Sequence, residues 1–384
     1  MNDVQTCFIN LIRNVIMDAT LPNDFKLCDL AMLYKLSKKH DMTHIIAFGL
    51  RKNALVDLNT DLWKKYYNKQ YSLAQFRVMN LDNECETVCN VLEKAGIDHI
   101  PLKGAVIRQL YPEAWMRTSC DIDILVRKND VRKAEKVMIE QLGCKVKSDG
   151  YFHGHEDNVK TPNGFIVELH FSLSDDYKNS MPWLDNIWNY VVLKPETKHQ
   201  YKMNADMFYL YHIYHASKHF RQGGCGVKTV LDTWIINHKL GLNSKSCAEI
   251  LEKTNLKPFA LALETISEKW FSGTDNIACV DLEEYVFSGG VYGWRNQVSA
   301  KQTKVDGKRL KYTIQRAFPP YSFMCERYCQ LRSNPLLLPY YWLKRIATAL
   351  GEKNGVRTKA ELKTVWLEKE KSKKIKAMFD ELGL

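Results

Sequence analysis

The stretch Asp121-Ile122-Asp123-Ile124-Leu125-Val126 constrains this chain more than any other, because it sets two carboxylates one residue apart at the start of an apolar, β-prone run. Side chains alternate across a strand, so Asp121 and Asp123 point one way while Ile122 and Ile124 point into the opposite layer. About 45 residues on, Val167-Glu168-Leu169-His170 offers a third acid, with His170 on the same strand face as Glu168. Two acids from one strand and one from a neighbour make a seat for divalent metal ions.

The flanks define the frame for that pair. Residues 5–95 read as helical: Phe8, Leu11, Ile12 and Val15 have helical spacing, as do Ala31, Leu33, Leu36 and His40. Asp41 is placed to open a helix through Ile45, Ile46 and Leu50, and a long helix is predicted from Trp63 to Leu92, ending near Gly96. Ile97 to Leu102 is then a short strand that Lys103-Gly104 ends, and Ala105 to Tyr111 starts a helix. After the Asp121–Val126 strand, Asn129 or Asp130 caps a helix over 131–142, which Gly143 stops. Residues 145–151 and 152–159 are expected to pair as strands, and Thr161-Pro162-Asn163-Gly164 turns the chain into Phe165–His170. From Tyr201 onward helical periodicity returns. The expectation is an α+β chain: an N-terminal helical region (1–95), a small mixed sheet with helices (96–175), and a larger C-terminal helical domain (176–384) with a basic tail.

Composition narrows the class. With 384 residues, 45% hydrophobic and 26% charged, the chain reads as globular. It starts without a secretory signal pattern, has no apolar run of 18 residues, and spreads eleven cysteines without a repeated CxxC pair. Those features suggest reduced thiols and a cytoplasmic protein. Cys85 with Cys89, and Cys325 with Cys329, read as core positions. The net charge of +11 is confined to one end: residues 1–300 hold 36 basic and 36 acidic side chains, residues 301–384 hold 19 and 8. RNA, an anionic membrane surface, or solvent alone can face that tail. No stable protein partner is inferred.

The acids point to nucleotidyl transfer, in which metal ions neutralise a triphosphate and activate an acceptor. Oxygen ligands favour Mg²⁺, with Mn²⁺ as a substitute. Asp121, Asp123 and Glu168 are the metal-ligand and catalytic candidates, Glu168 also as acceptor of the attacking group's proton. Lys103-Gly104 at a helix start suits a phosphate turn, and Arg117 and Ser119 are candidate phosphate contacts. Taken alone, an acidic pair also fits a solvent-facing strand edge; the order of the surrounding elements argues against that.

Leu102-Lys103-Gly104, Leu110-Tyr111, Arg117, the Asp121–Val126 run and Val167-Glu168-Leu169-His170 resemble the bacterial "uncharacterised nucleotidyltransferase" family of the DNA polymerase β-like nucleotidyltransferase superfamily. His215-Ala216-Ser217-Lys218-His219-Phe220, then Gly224-Cys225-Gly226-Val227-Lys228 with Leu231-Asp232, are similar to a helix-turn-helix segment of that family, and Asn334-Pro335-Leu336-Leu337-Leu338-Pro339 to its C-terminal segment. The resemblance runs over roughly residues 25–350. It implies a polymerase β-like core, an NTP substrate, and nucleotide contacts from Lys218 and His219. The departure is Ala105, where the superfamily usually follows its glycine with Ser or Gly; Lys103 or Ser119 is left to supply that donor.

Other residues carry two readings each. His212, His215 and His219 share a helix face, as a zinc site or as ordinary packing. Lys228 and Asp232, a turn apart, either close over base or ribose or pair within the helix. His170 orients the acid, touches phosphate or lines the cleft. His153 and His155 read as surface residues. The run Leu336 to Arg345, apolar and aromatic and then basic, fits a core helix better than a membrane-interface helix, because Pro339 interrupts it. Overall, the sequence indicates transfer of a nucleoside monophosphate from an NTP to a hydroxyl or phosphate acceptor, with pyrophosphate release. The alternatives are a non-catalytic nucleotide- or nucleic-acid-binding module and a peripheral membrane enzyme of surface polysaccharide assembly.

Overall fold

The computed structural model of the chain describes residues 1–146, 156–174, 181–224, 226–274, 280–290, 309–328, 330–351 and 369–384. By internal packing, residues 1–215 and 227–278 form one unit, and residues 216–226 and 279–384 form another. The N-terminal helices thus belong to the same unit as the sheet.

Four helices lead the first unit: α1 (Asp3–Ile16), α2 (Leu30–Lys39), α3 (Thr43–Lys52) and α4 (Lys69–Lys94), the last preceded by a wider π-type turn, Trp63–Asn68. A capping box starts α1, where Asn2 accepts from the Gln5 amide and Gln5 accepts from the Asn2 amide. Phe8, Leu11, Ile12 and Val15 are all buried, as their spacing predicts, whereas Ala31 is exposed. Asp41 does not cap α3. Its backbone is left-handed (φ 54°), which turns its carboxylate away from the helix start, and Met42 takes the cap position.

Five strands follow: β1 (His99–Pro101), β2 (Asp121–Val126), β3 (Lys145–Val146), β4 (Glu156–Lys160) and β5 (Ile166–His170), in the order β1-β2-β5-β4-β3. Among the described strands of this sheet, only the pair β2 and β5 runs parallel. Between β1 and β2 lies the four-residue helix α5 (Gly104–Ile107), and between β2 and β3 helix α6 (Val131–Leu142). Gly143 ends α6 in the left-handed conformation at φ 68°. Asp130 occupies the α6 cap position without a side-chain cap bond. The predicted turn at 161–164 joins β4 to β5, with the Gly164 amide bonded to the Thr161 carbonyl. Of the strands expected over 145–159, Lys145–Val146 pairs with Val159–Lys160 and β4 is described from Glu156 on; residues 147–155, with His153 and His155, fall outside the described residues.

A short helix, α7 (Pro182–Asp185), precedes a second antiparallel pair, β6 (Val191–Leu193) and β7 (Tyr201–Met203). Tyr201 therefore begins a strand and not a helix. This ribbon lies along β1, with the His99 amide donating to the His199 carbonyl at 2.9 Å, so the outer edge of the sheet is covered. Helices α8 (Ala205–Arg221), α9 (Val227–Leu240), α10 (Ala248–Lys253) and α11 (Lys257–Ser267) follow.

The second unit contains α12 (Val280–Gly289), short helices between residues 309 and 350, and a C-terminal helix, Lys369–Glu381. Tyr285 packs between Phe220 and Phe379, and its hydroxyl donates to the Phe220 carbonyl at 2.6 Å.

Candidate active site

The alternation in β2 sorts the sheet into two chemistries. Ile122, Ile124 and Val126, with Val159, Val167 and Leu169, pack against Leu81, Cys85, Val88, Cys89 and Leu92 of α4 and Val131, Ala134 and Met138 of α6. The strands are held by that apolar layer, which leaves their other face to polar groups.

On the polar face the register is decisive. Because β2 and β5 run parallel, Asp123 stands directly opposite Glu168, and Leu125 opposite His170. The antiparallel partner β4 brings Glu156 opposite His170. Asp123 is buried, at 3% exposure, and its Oδ1 accepts from Lys103 Nζ at 2.6 Å and from His170 Nε2 at 2.9 Å. His170 is also close to two other acids: Nε2 is 3.6 Å from Glu168, and Nδ1 is 3.3 Å from Glu156. Ligand atoms of Asp123, Glu168 and His170 lie within 4.8 Å of one another.

Electrostatics follow from that crowding. Burial pushes the Asp123 carboxyl up, but the His170 hydrogen bond and the Lys103 charge outweigh it and hold the group well below the usual carboxylate range. Asp121 is raised, first by burial and then by the Asp123 charge. The His170 hydrogen bond pulls Glu168 down, yet burial and the Asp123 and Glu156 charges leave it raised. For His170, the two acid contacts overcome burial and raise it. Two carboxylates kept near a third thus lack compensation, which is the condition a bound cation relieves.

The turn that delivers Lys103 is strained. Lys103 has φ 44° and ψ −115°, a conformation that favours glycine and costs on the order of 1–3 kcal/mol. Gly104 is required for packing: a Cβ there would lie 2.8 Å from Ser119 Oγ and 3.3 Å from Arg108 Nη2. Ser119 Oγ accepts from Arg108 Nη2 at 2.6 Å, while Arg108 also binds Asp82 and the Gly104 carbonyl. The predicted phosphate turn and Ser119 are therefore packed on each other through Arg108, which sequence reading missed. An arginine four residues after a glycine on a helical turn was the available signal.

Arg117 points into a different network. Its Nε and Nη2 bind both oxygens of Asp232 on α9, and Nη1 donates to the Thr118 carbonyl at 2.7 Å. Tyr111 Oη donates to the same Asp232 at 2.7 Å. Lys228 does not pair with Asp232; its Nζ reaches Asp41 at 2.8 Å and the Thr118 carbonyl at 3.2 Å. Asp41 also accepts from Thr118 Oγ1 at 2.9 Å. Asp41, Tyr111 and Thr118 carried no sequence signal of this role, since their partners lie 77 to 187 residues away. Residues from α9 and from the turn before α3 thereby hold the segment that leads into Asp121.

The histidines separate. His212 is buried and its Nε2 donates to Thr233 Oγ1 at 2.8 Å, whose hydroxyl is committed to the Thr229 carbonyl; burial lowers His212 to about 4. The ring of His215 packs against Tyr211. Lys218 and His219 belong to the second unit. The His212, His215 and His219 face forms no metal-ligating group among the described residues; Asp123, Glu168 and His170 do.

A cavity of about 440 Å³ adjoins the acids through Lys103, which lines it together with Leu102, Val106, Phe208 and Tyr211. That volume falls in the range of small-molecule sites.

Asp123, Glu168 and His170 form a group that could hold a divalent cation, with Asp121 on the same strand face; burial and the Asp123 charge raise both Asp121 and Glu168. Among known protein families, residues 28–272 match one described as "Uncharacterised nucleotidyltransferase". That range takes in every described strand of both sheets and helices α2 to α11. No curated protein and no solved structure matches the chain.

Proposed function

The chain belongs to this uncharacterised nucleotidyltransferase family, and from that premise we propose a metal-dependent enzyme that transfers a nucleoside monophosphate from an NTP to a hydroxyl or phosphate acceptor. The observation that carries the reading is the register of β2 and β5, which sets Asp123 opposite Glu168 on the face shared with Asp121.

Asp121, Asp123 and Glu168 would hold the metal, Mg²⁺ or Mn²⁺, which supplies Lewis-acid stabilisation of the phosphates. His170 is a positioning residue: its Nε2–H fixes Asp123, so the carboxylates remain as ligands. Glu168 is half-buried where Asp123 is sealed, which suits it to take the proton of the incoming acceptor. The acceptor oxygen attacks the α-phosphorus, the bond to the β-phosphate bridge breaks, and pyrophosphate leaves. Lys103 stands between the acids and the cavity, which makes it the contact for the phosphates of a nucleotide whose base enters the apolar walls. Ser119, Lys228 and Asp232 support the site through their partners, and Arg117 fixes the segment before Asp121. The acceptor class spans sugar phosphates, small metabolites, protein side chains and RNA ends.

The test is incubation with each labelled NTP and Mg²⁺ or Mn²⁺, with detection of pyrophosphate and of label on protein, RNA and small-molecule fractions. Release is expected to vanish with chelator and with Asp121→Asn. Turnover unchanged in Asp121→Asn would remove the proposal. Binding that is steep in salt without any pyrophosphate release would leave the non-catalytic binding module.

A further inference from the structure

The second unit divides the predicted core helix between two environments. Tyr341 is buried with Met324 and Leu331, and Trp342 and Leu338 pack against them. The other face of the same stretch is open: Leu336 is 88% exposed, Leu343 66% and Tyr340 57%. A second helix, Arg309–Ala317, repeats the pattern with Leu310 at 68% and Ile314 at 50% exposure, one turn apart. The two helices are tied at their meeting point: Trp342 Nε1 donates to the Pro319 carbonyl at 3.0 Å, and Arg345 Nη1 donates to the Arg316 carbonyl at 2.9 Å. Five large apolar side chains are thus exposed on two joined helical segments, the kind of surface that marks an interaction site where such residues adjoin.

Charge identifies what such a face meets. Residues 309–351 contain seven Lys and Arg but a single acid, Glu326. We propose that this face of the second unit docks on an anionic lipid surface, with Leu310, Ile314, Leu336, Tyr340 and Leu343 entering the headgroup–acyl boundary and the basic residues around them meeting lipid phosphates. An interfacial helix needs a compact apolar face flanked by cations, with Tyr at headgroup depth. The inserting residues are mostly aliphatic, which distinguishes lipid from RNA: nucleic acid is held by cations and stacking rings, and Leu and Ile supply neither. No helix among the described residues is long and apolar enough to cross a membrane, so the contact is one of lying on the surface. The inference stands apart from the proposed catalysis.

The experiment is co-sedimentation of the full chain with vesicles of phosphatidylcholine alone or with about one third phosphatidylglycerol, a content high enough to give a negative surface potential. Binding is expected only to the anionic vesicles and should weaken with salt. The triple variant Leu336→Ser, Tyr340→Ser, Leu343→Ser should lose at least tenfold in vesicle partition while keeping its far-ultraviolet spectrum. Lys344→Gln with Arg345→Gln should weaken binding and flatten its salt dependence. No binding to anionic vesicles, or equal binding by the triple variant, overturns the proposal. So would RNA retention without vesicle binding, and so would self-association that the triple variant abolishes, which would assign the face to a second copy.

Discussion

Arg117 and Asp232, 115 residues apart in the chain, meet as a two-point ion pair, with Nε 2.8 Å from Oδ1 and Nη2 2.9 Å from Oδ2. The pair is buried beside Tyr111 and anchors the segment that enters β2 to helix α9. Asp232→Ala leaves a buried guanidinium without its carboxylate and should cost about 3–5 kcal/mol, read by urea unfolding. Arg117→Lys in the otherwise unchanged protein should also lose stability, because an ammonium cannot match both oxygens. A loss below about 1 kcal/mol in Asp232→Ala would show that the pair does not hold this segment.

Asp121 and Asp123 should respond to amide substitution with opposite effects on stability. Asp123→Asn leaves Lys103 and His170 facing a neutral group in a buried site, a loss of about 3 kcal/mol or more. Asp121→Asn removes a carboxylate that burial and the Asp123 charge already disfavour, so its melting temperature should stay level or rise. Both should reduce pyrophosphate release by at least about 10²-fold, the scale of losing one preorganised electrostatic contact. Calorimetry beside the turnover assay separates the two effects.

Gly104→Ala should destabilise the protein by about 1–3 kcal/mol. The added methyl would lie 2.8 Å from Ser119 Oγ, within the Arg108 hydrogen bond. Gly104→Ala combined with Ser119→Gly should recover part of that loss. A double-mutant cycle with no coupling between the positions would contradict the contact.

Acid should destabilise the fold through two buried histidines, His44 and His212. Burial, the largest influence, lowers His44 to about 4, and its Nε2–H is committed to the Met116 carbonyl at 3.1 Å. A histidine depressed in the folded state binds its proton more readily when unfolded, so stability declines as pH falls from about 6.5 toward 4 and levels off below that. The drop for His44 alone is about 3 kcal/mol, and His212 contributes in the same direction. His44→Gln should give a shallower dependence of melting temperature on pH over that window. An unchanged slope would remove His44 from the cause.

Local patterning made the acidic strand legible. The period of two in residues 121–126 and again in 166–170 determined which residues face the helical layer, and Ile122, Ile124, Val167 and Leu169 lie there. Helical spacing in residues 8–15 and glycine at 143 located α1 and the end of α6 for the same reason, since both signals act within a few residues. The β6–β7 ribbon was not legible, because three-residue strands such as Tyr201–Met203 are too short to express a period. Asp41 misled for a related reason: an acid before an apolar run signals a cap, and only a positive φ redirects it.

By itself, then, the sequence determined the identity of the acids, their common strand face and the basic character of the C-terminal segment, all of which follow from residue type and a period of two. The tertiary structure alone decided that β5 runs parallel beside β2 with Glu168 opposite Asp123, that Lys103 and His170 share one oxygen of Asp123, and that Arg117 turns to Asp232. Those contacts join residues 20 to 115 positions apart, and no local pattern encodes them. They exist because the packed helices and the sheet register bring the backbones together, after which burial makes it costly to leave any of these charges unpaired.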